Sequence, residues 1–140
     1  MPATDLNHYN ITAPIALLDK IRDFYCDTVG LVVGDRPPLR NDGYWLYAGN
    51  RAILHLSAAG EGEERMTHVT STIDHVAFTC VDFSAMRARL DARGITYRNS
   101  DVPSMKLRQI FFRDPAGNGV ELNFGTNEVA SPDRVRPGHR

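Results

Sequence analysis

Two periodicities, one of strands and one of helices, follow each other along this chain and then do so again. Leu6 to Ile11 (LNHYNI) alternates with the two-residue period of a strand. Leu17, Leu18, Ile21, Phe24 and Tyr25 then recur at helical spacing and predict an amphipathic helix. Thr12 is placed to cap it, and Pro14 falls in its first turn, where a missing N–H costs little. Gly30 suits the left-handed stop behind the helix. Leu31 to Val33 predicts a strand, and Pro37-Pro38 with Asn41-Asp42-Gly43 a loop and turn. Tyr44 to Ala48 and Ala52 to Leu56 predict two strands joined by the turn pair Gly49-Asn50.

The same order returns after residue 72. Ile73 to Cys80 (IDHVAFTC) predicts a strand, and Asp82 can cap a helix that carries Phe83, Met86 and Leu90 on one face. Gly94 ends that helix, Ile95 to Tyr97 predicts a strand, and Gln109 to Phe112 and Val120 to Phe124 predict two more. The connection Arg113 to Gly119 (RDPAGNG) is turn chemistry, since Asp, Pro, Gly and Asn each have a local backbone reason to be there. The halves are copies in order and spacing: Gly30 and Gly94 lie 64 apart, His8 and His75 67 apart, and His55 and Glu121 66 apart. Repeats dictate architecture, so the expected fold is α+β, two tandem βαβββ modules at about 5–57 and 73–125. Residues 58–72 read as the linker between them and 126–140 as a loose tail.

Strand side chains alternate between faces. Leu6, His8 and Asn10 share one face, as do Ile53, His55 and Ser57, then Ile73, His75, Ala77 and Thr79, then Gly119, Glu121 and Asn123. Each of the four polar candidates is therefore expected mid-strand among small or apolar neighbours. A carboxylate between Val120 and Leu122 is costly unless it is paired or bound to metal. A lone strand histidine is more often a satisfied core residue than a ligand. Recurrence of His at one repeat position, and of a ligand type at another, favours metal. Three imidazoles and one carboxylate (His8, His55, His75 and Glu121) suit one divalent transition metal, iron, nickel, zinc, cobalt or manganese, rather than calcium. His55 and Glu121 are also the candidate bases. His68 in the linker and His139 in the tail are not favoured. Trp45, Tyr47, Tyr97 and Phe111 read as core or pocket wall, and Lys106 and Arg108 as a solvated face.

Bulk properties narrow the partners. The chain has 140 residues, a net charge of -1 and 24% charged residues, so no basic field for nucleic acid is expected. Cys26 and Cys80 are far apart and in no C-x-x-C pair, and read as buried thiols rather than a disulfide framework. No apolar run approaches a membrane span of roughly 20 residues, and Met1 to Asn7 shows no secretory pattern. A cytoplasmic location with a small-molecule partner is the expectation.

At this point the chain resembles the vicinal oxygen chelate superfamily, which includes glyoxalase I, extradiol dioxygenases, methylmalonyl-CoA epimerase and the fosfomycin and bleomycin resistance proteins. The resemblance runs over about residues 5–125 and rests on LNHYNI, FYCDTVGL, AILHLS, IDHVAF and FFRDPAGNGVELNF. It implies that residues 1–140 form a single vicinal oxygen chelate domain, with a cupped mixed sheet around a metal, and that His8, His75 and Glu121 occupy its ligand positions. His55 stands where glyoxalase I has a metal-binding glutamate active in proton transfer. The resemblance also implies a homodimer, with each site in one chain or shared between subunits. The expected function is a metal-dependent lyase or isomerase that binds a substrate with vicinal oxygens and moves a proton. The alternatives are an Fe(II)-dependent extradiol-type dioxygenase and a non-catalytic drug-binding resistance protein.

Overall fold

The computed structural model describes residues 2–126. The chain divides into two compact units, Met1–Val69 and Thr70–Arg140. The expected tail, from residue 127 on, lies outside the described residues. Among the described residues, no helix is long and apolar enough to cross a membrane.

The first unit contains β1 (Tyr9–Ala13), α1 (Ile15–Phe24), a π-helical turn (Tyr25–Val29), β2 (Val32–Gly34), β3 (Gly43–Ala48) and β4 (Arg51–Ala58). Its sheet has the order β1-β4-β3-β2, with β1 parallel to β4 and the other pairs antiparallel. The helix packs on β4, β3 and β1. Leu18 and Ile21 from the helix and Leu46, Leu54 and Leu56 from the sheet are fully buried. Strand alternation then turns Trp45, His55 and Ser57 to the other face.

The second unit repeats this with β5 (His75–Cys80), α2 (Phe83–Ala92), β6 (Arg98–Val102), a short 3-10 turn (Pro103–Met105), β7 (Leu107–Arg113) and β8 (Gly119–Gly125). The sheet order is β5-β8-β7-β6, again with only the first pair parallel. Its core holds Met86, Leu90, Ile110, Phe112, Val120, Leu122 and Phe124, with Phe83 edge-on to Phe124 at 5.4 Å. The two four-stranded mixed sheets and their helices make tandem α+β modules, as the patterning leads one to expect.

Three expectations shift. The first strand begins at Tyr9, not Leu6; the Leu6 carbonyl is met by the Arg51 side chain at 3.0 Å. Thr12 does not cap α1. It sits in β1 opposite Ser57, its hydroxyl accepts from the Asn10 amide at 2.9 Å, and Pro14 takes the cap position without a side-chain bond. The strand expected at Ile95 to Tyr97 runs instead over Arg98–Val102. Gly94 adopts a left-handed φ of 66°, and the Ile95 N–H turns back to the Leu90 carbonyl at 3.0 Å, so Ile95 belongs to the helix stop. Beyond these three, the cysteines are half-buried rather than buried, and neither forms a disulfide.

The second unit's last turn depends on Asp114, which is 4% exposed. Its carboxylate accepts from the Ala116 and Asn118 backbone N–H groups, each at 2.9 Å, and from the Asn118 side chain at 3.0 Å. Gly119 follows, and its missing side chain lets β8 lie against β5: a Cβ there would run into the Asp74 carbonyl oxygen. We expect Gly119→Ala to destabilise the protein by about 1–3 kcal/mol, as overpacking does, read as a lowered denaturant midpoint with an unchanged slope.

Candidate functional site

In the first unit the site starts from the register. Asn10 lies opposite His55 and Thr12 opposite Ser57, so all four share the face away from α1. His8 precedes β1 by one residue and reaches the same face. Its imidazole stacks on that of His55, with ring centroids 3.7 Å apart and planes at 14°. Trp45, opposite His55 on β3, covers the other face of the His55 ring at 4.0 Å and 10°. The result is a column, Trp45–His55–His8. Face stacking leaves the ring edges, where the nitrogens lie, uncovered by the stacked partners. Burial lowers the His55 pKa, and repulsion from His8 and Arg36 lowers it further, against a backbone hydrogen bond with Ala52. His8 Nδ1 lies 2.7 Å from Asn7 Oδ1, an acceptor, which assigns the proton to Nδ1 and leaves Nε2 a lone pair.

In the second unit His75 opens β5 opposite Gly119, and Glu121 lies opposite Ala77 on β8. His75 Nε2 and Glu121 Oε1 are 3.3 Å apart. His75 Nδ1 donates to Asp74 Oδ2 at 2.8 Å, the counterpart of Asn7 and His8 in the first unit. Glu121 is 8% exposed, between Val120 at 1% and Leu122 at 0%. Its Oε2 accepts from the Asn123 amide at 2.8 Å, and Asn123 Oδ1 in turn accepts from Gln109 Nε2 at 3.1 Å. Oε1 is thereby left facing His75 Nε2, which in the neutral Nδ1–H tautomer carries no proton. Two acceptors in that position call for a proton or a cation between them. Phe111, opposite Glu121, stands edge-on to His75 at 6.2 Å.

The donor set fits a metal. Neighbouring ligands on one ion, at bonds of about 2.0–2.2 Å, sit about 3.0–3.4 Å apart, and His75 Nε2 and Glu121 Oε1 are at that separation. Among the described residues no group of three or more His, Cys, Asp or Glu is drawn together as a metal cluster. What each unit supplies is a pair: His8 with His55, and His75 with Glu121.

The expectation that all four candidates are embedded mid-strand is corrected. His8 and His75 are exposed and sit at strand beginnings, where the ladder has just started; only Glu121 is buried and His55 half-buried. Of the expected core or pocket aromatics, Trp45 serves the His55 column and Phe111 flanks His75, while the Tyr47 hydroxyl donates to the Asp35 carbonyl at 2.7 Å. Arg108 lies over the Phe83 ring at 3.8 Å and near Asp101, and Lys106 is exposed, as a solvated face requires. His68 is exposed in the connecting segment. The orienting residues Asn7, Asp74 and Asn123 were not singled out from sequence. A signal existed: in LNH and IDH a side-chain oxygen acceptor stands directly before the histidine in both halves.

A family model described as the Glyoxalase/Bleomycin resistance protein/Dioxygenase superfamily matches residues 6–122. No curated protein matches the chain. Among solved structures, lactoylglutathione lyase from Agrobacterium tumefaciens is 23% identical, with 90% of this chain and 97% of that one covered and a TM-score of 0.62. An antibiotic-binding protein from a Streptomyces species is 24% identical, with 89% and 98% covered and a TM-score of 0.61. A fosfomycin resistance protein from Listeria monocytogenes, complexed with Mn(II) and a dihydroxypropylphosphonic acid, is 16% identical, with 89% and 95% covered and a TM-score of 0.64. At these identities the likeness is one of fold.

The stack around His55 has a direct readout. In an NMR titration of the metal-free protein its ring titrates below the ordinary imidazole value. Trp45→Ala, which opens one face to water, moves that midpoint upward.

Proposed function

Because the chain belongs to the glyoxalase/bleomycin resistance protein/dioxygenase superfamily, we propose that it is a metal-dependent enzyme that binds a small substrate through two adjacent oxygens and shifts a proton on it, as a lyase or isomerase. The observation that carries this reading is the pair His75 Nε2 and Glu121 Oε1 at 3.3 Å, each with its other polar atom already engaged. His8, His55, His75 and Glu121 are the residues that would hold one divalent transition metal: iron, nickel, zinc, cobalt or manganese. Bound there, the metal supplies Lewis-acid polarisation of the substrate's adjacent oxygens.

The remaining work falls to side chains. Asn7 and Asp74 fix the two strand-opening imidazoles as Nδ1–H tautomers, which directs Nε2 toward the ligand, an arrangement typical of metal-binding histidines. Asn123 fixes the Glu121 carboxylate in the same way. His55 is the base. Its lowered pKa keeps the ring neutral near neutral pH, so a nitrogen is free to take a proton from the substrate carbon. The C–H electron pair forms a C=C bond as the carbonyl pair moves onto its oxygen; the same nitrogen then returns the proton to the former carbonyl carbon, while the proton of the neighbouring hydroxyl passes to the oxygen that took up the pair. Trp45 and His8 hold the ring flat while it does so. Glu121, with one oxygen bonded to Asn123, is the second candidate for this role. The expected partner beyond the substrate is a second copy of the chain, which light scattering would register.

Metal analysis of protein purified without chelators should give one transition metal per four-residue set, lost in His75→Ala and Glu121→Gln. Turnover of 2-oxo or 2-hydroxy substrates with nickel or cobalt in the absence of oxygen is the expected activity. Strict dependence on Fe(II) with O₂ uptake would replace this reading with the dioxygenase, and a metal-free protein that binds ligands normally would replace it with a binding protein. Asp74→Ala and Asn123→Ala, which remove no ligand, should each weaken metal binding about 10- to 100-fold, measured by competition with a chromogenic chelator.

A further inference from the structure

A cleft of about 560 Å³ opens in the second unit beside His75. Its lining includes Asp74, His75, Tyr97, Arg98, Phe111 and Arg113. The two arginines are placed in the cleft without the ion pairs that several others in the chain make. Arg22, Arg51, Arg65 and Arg108 each have a carboxylate oxygen at 2.9, 3.6, 3.0 and 3.7 Å respectively. Arg98 and Arg113 form no ion pair among the described residues.

Arg98 lies with its guanidinium carbon 4.1 Å over the Phe111 ring. Stacking of that kind occupies the flat face of the guanidinium and none of its five in-plane N–H donors. Arg113 gives one Nη1–H to the Gly117 carbonyl at 2.9 Å, which anchors the side chain and leaves Nε and Nη2 to act. Against these two cations the cleft has one carboxylate, Asp74, which accepts from His75.

Spacing then sets the size of the ligand. Arg113 lies opposite Gly119, and Gly119 opposite His75, so the arginine strand is two strand intervals from the imidazole. That is about 10 Å between backbones, less once both side chains reach inward, and comparable to the length of one six-membered ring with its substituents. Phe111 lies opposite Glu121 on the strand that carries Arg113, and offers that ring an apolar surface. We propose that this cleft recognises the far end of the substrate, an oxyanion (carboxylate or phosphonate) on a ring-sized apolar body, with Arg98 and Arg113 taking the charge and Phe111 and Tyr97 the body. The proposal rests on the reading of His75 and Glu121 as the chemical end of the same site.

The full chain, with and without Co(II), is titrated calorimetrically with benzoate, phenylphosphonate and the neutral benzamide. Either anion should bind about tenfold or more tightly than benzamide, and Arg98→Gln and Arg113→Gln should each weaken the anion about tenfold. The same substitutions leave benzamide binding and Co(II) affinity unchanged. Preference for benzoate identifies a carboxylate, and preference for phenylphosphonate a tetrahedral oxyanion. Equal affinity for benzamide and both anions overturns the proposal, as does unaltered anion binding in the double arginine variant. Failure of the wild-type chain to take up Co(II), with anion selectivity retained in the metal-free arm, overturns the metal reading instead and leaves the cleft as an oxyanion site.

Discussion

A carboxylate placed inside an apolar strand has to be met by donors or by a cation, and the second unit is arranged around that requirement. Glu121 stands between two buried aliphatic residues and is itself buried. One of its oxygens is held by Asn123, which Gln109 holds in turn, and the other faces His75. Asp74 orients the imidazole from behind. Gly119 permits the close approach of β5 and β8 that puts the imidazole and the carboxylate on one face, and the Asp114-centred turn delivers the chain into β8 at that glycine. Six positions thus serve one buried charge.

The first unit uses the same backbone plan with different physics. His55 stands where the repeat puts Glu121, Trp45 where it puts Phe111, and Asn7 where it puts Asp74. Where the second unit manages a negative charge by hydrogen bonds, the first clamps a ring by stacking, and burial with repulsion from His8 and Arg36 lowers that ring's pKa. One unit therefore offers an anionic ligand pair and the other a neutral pair.

Much of this was legible in the chain. The repeat of strand, helix and strands, the glycine stops at Gly30 and Gly94, the Asp82 cap and the RDPAGNG turn all follow from local preferences that act over a few residues, and all four reappear in the structure. Which side chains share a face also follows from alternation, so the pairs His8 with His55 and His75 with Glu121 could be named beforehand. Less legible were events set by a partner strand. Thr12 is diverted from capping because the ladder with Ser57 extends past it.

The sequence alone determined the order of elements, the duplicated plan and the identity of the candidate donors, because periodicity, turn chemistry and repeat spacing are properties of neighbouring residues. The tertiary structure decided how His55 is clamped, that the His75 ring faces Glu121, and that Arg98 and Arg113 come to one cleft. Those outcomes depend on distances across strands between residues tens of positions apart, and no local pattern encodes them.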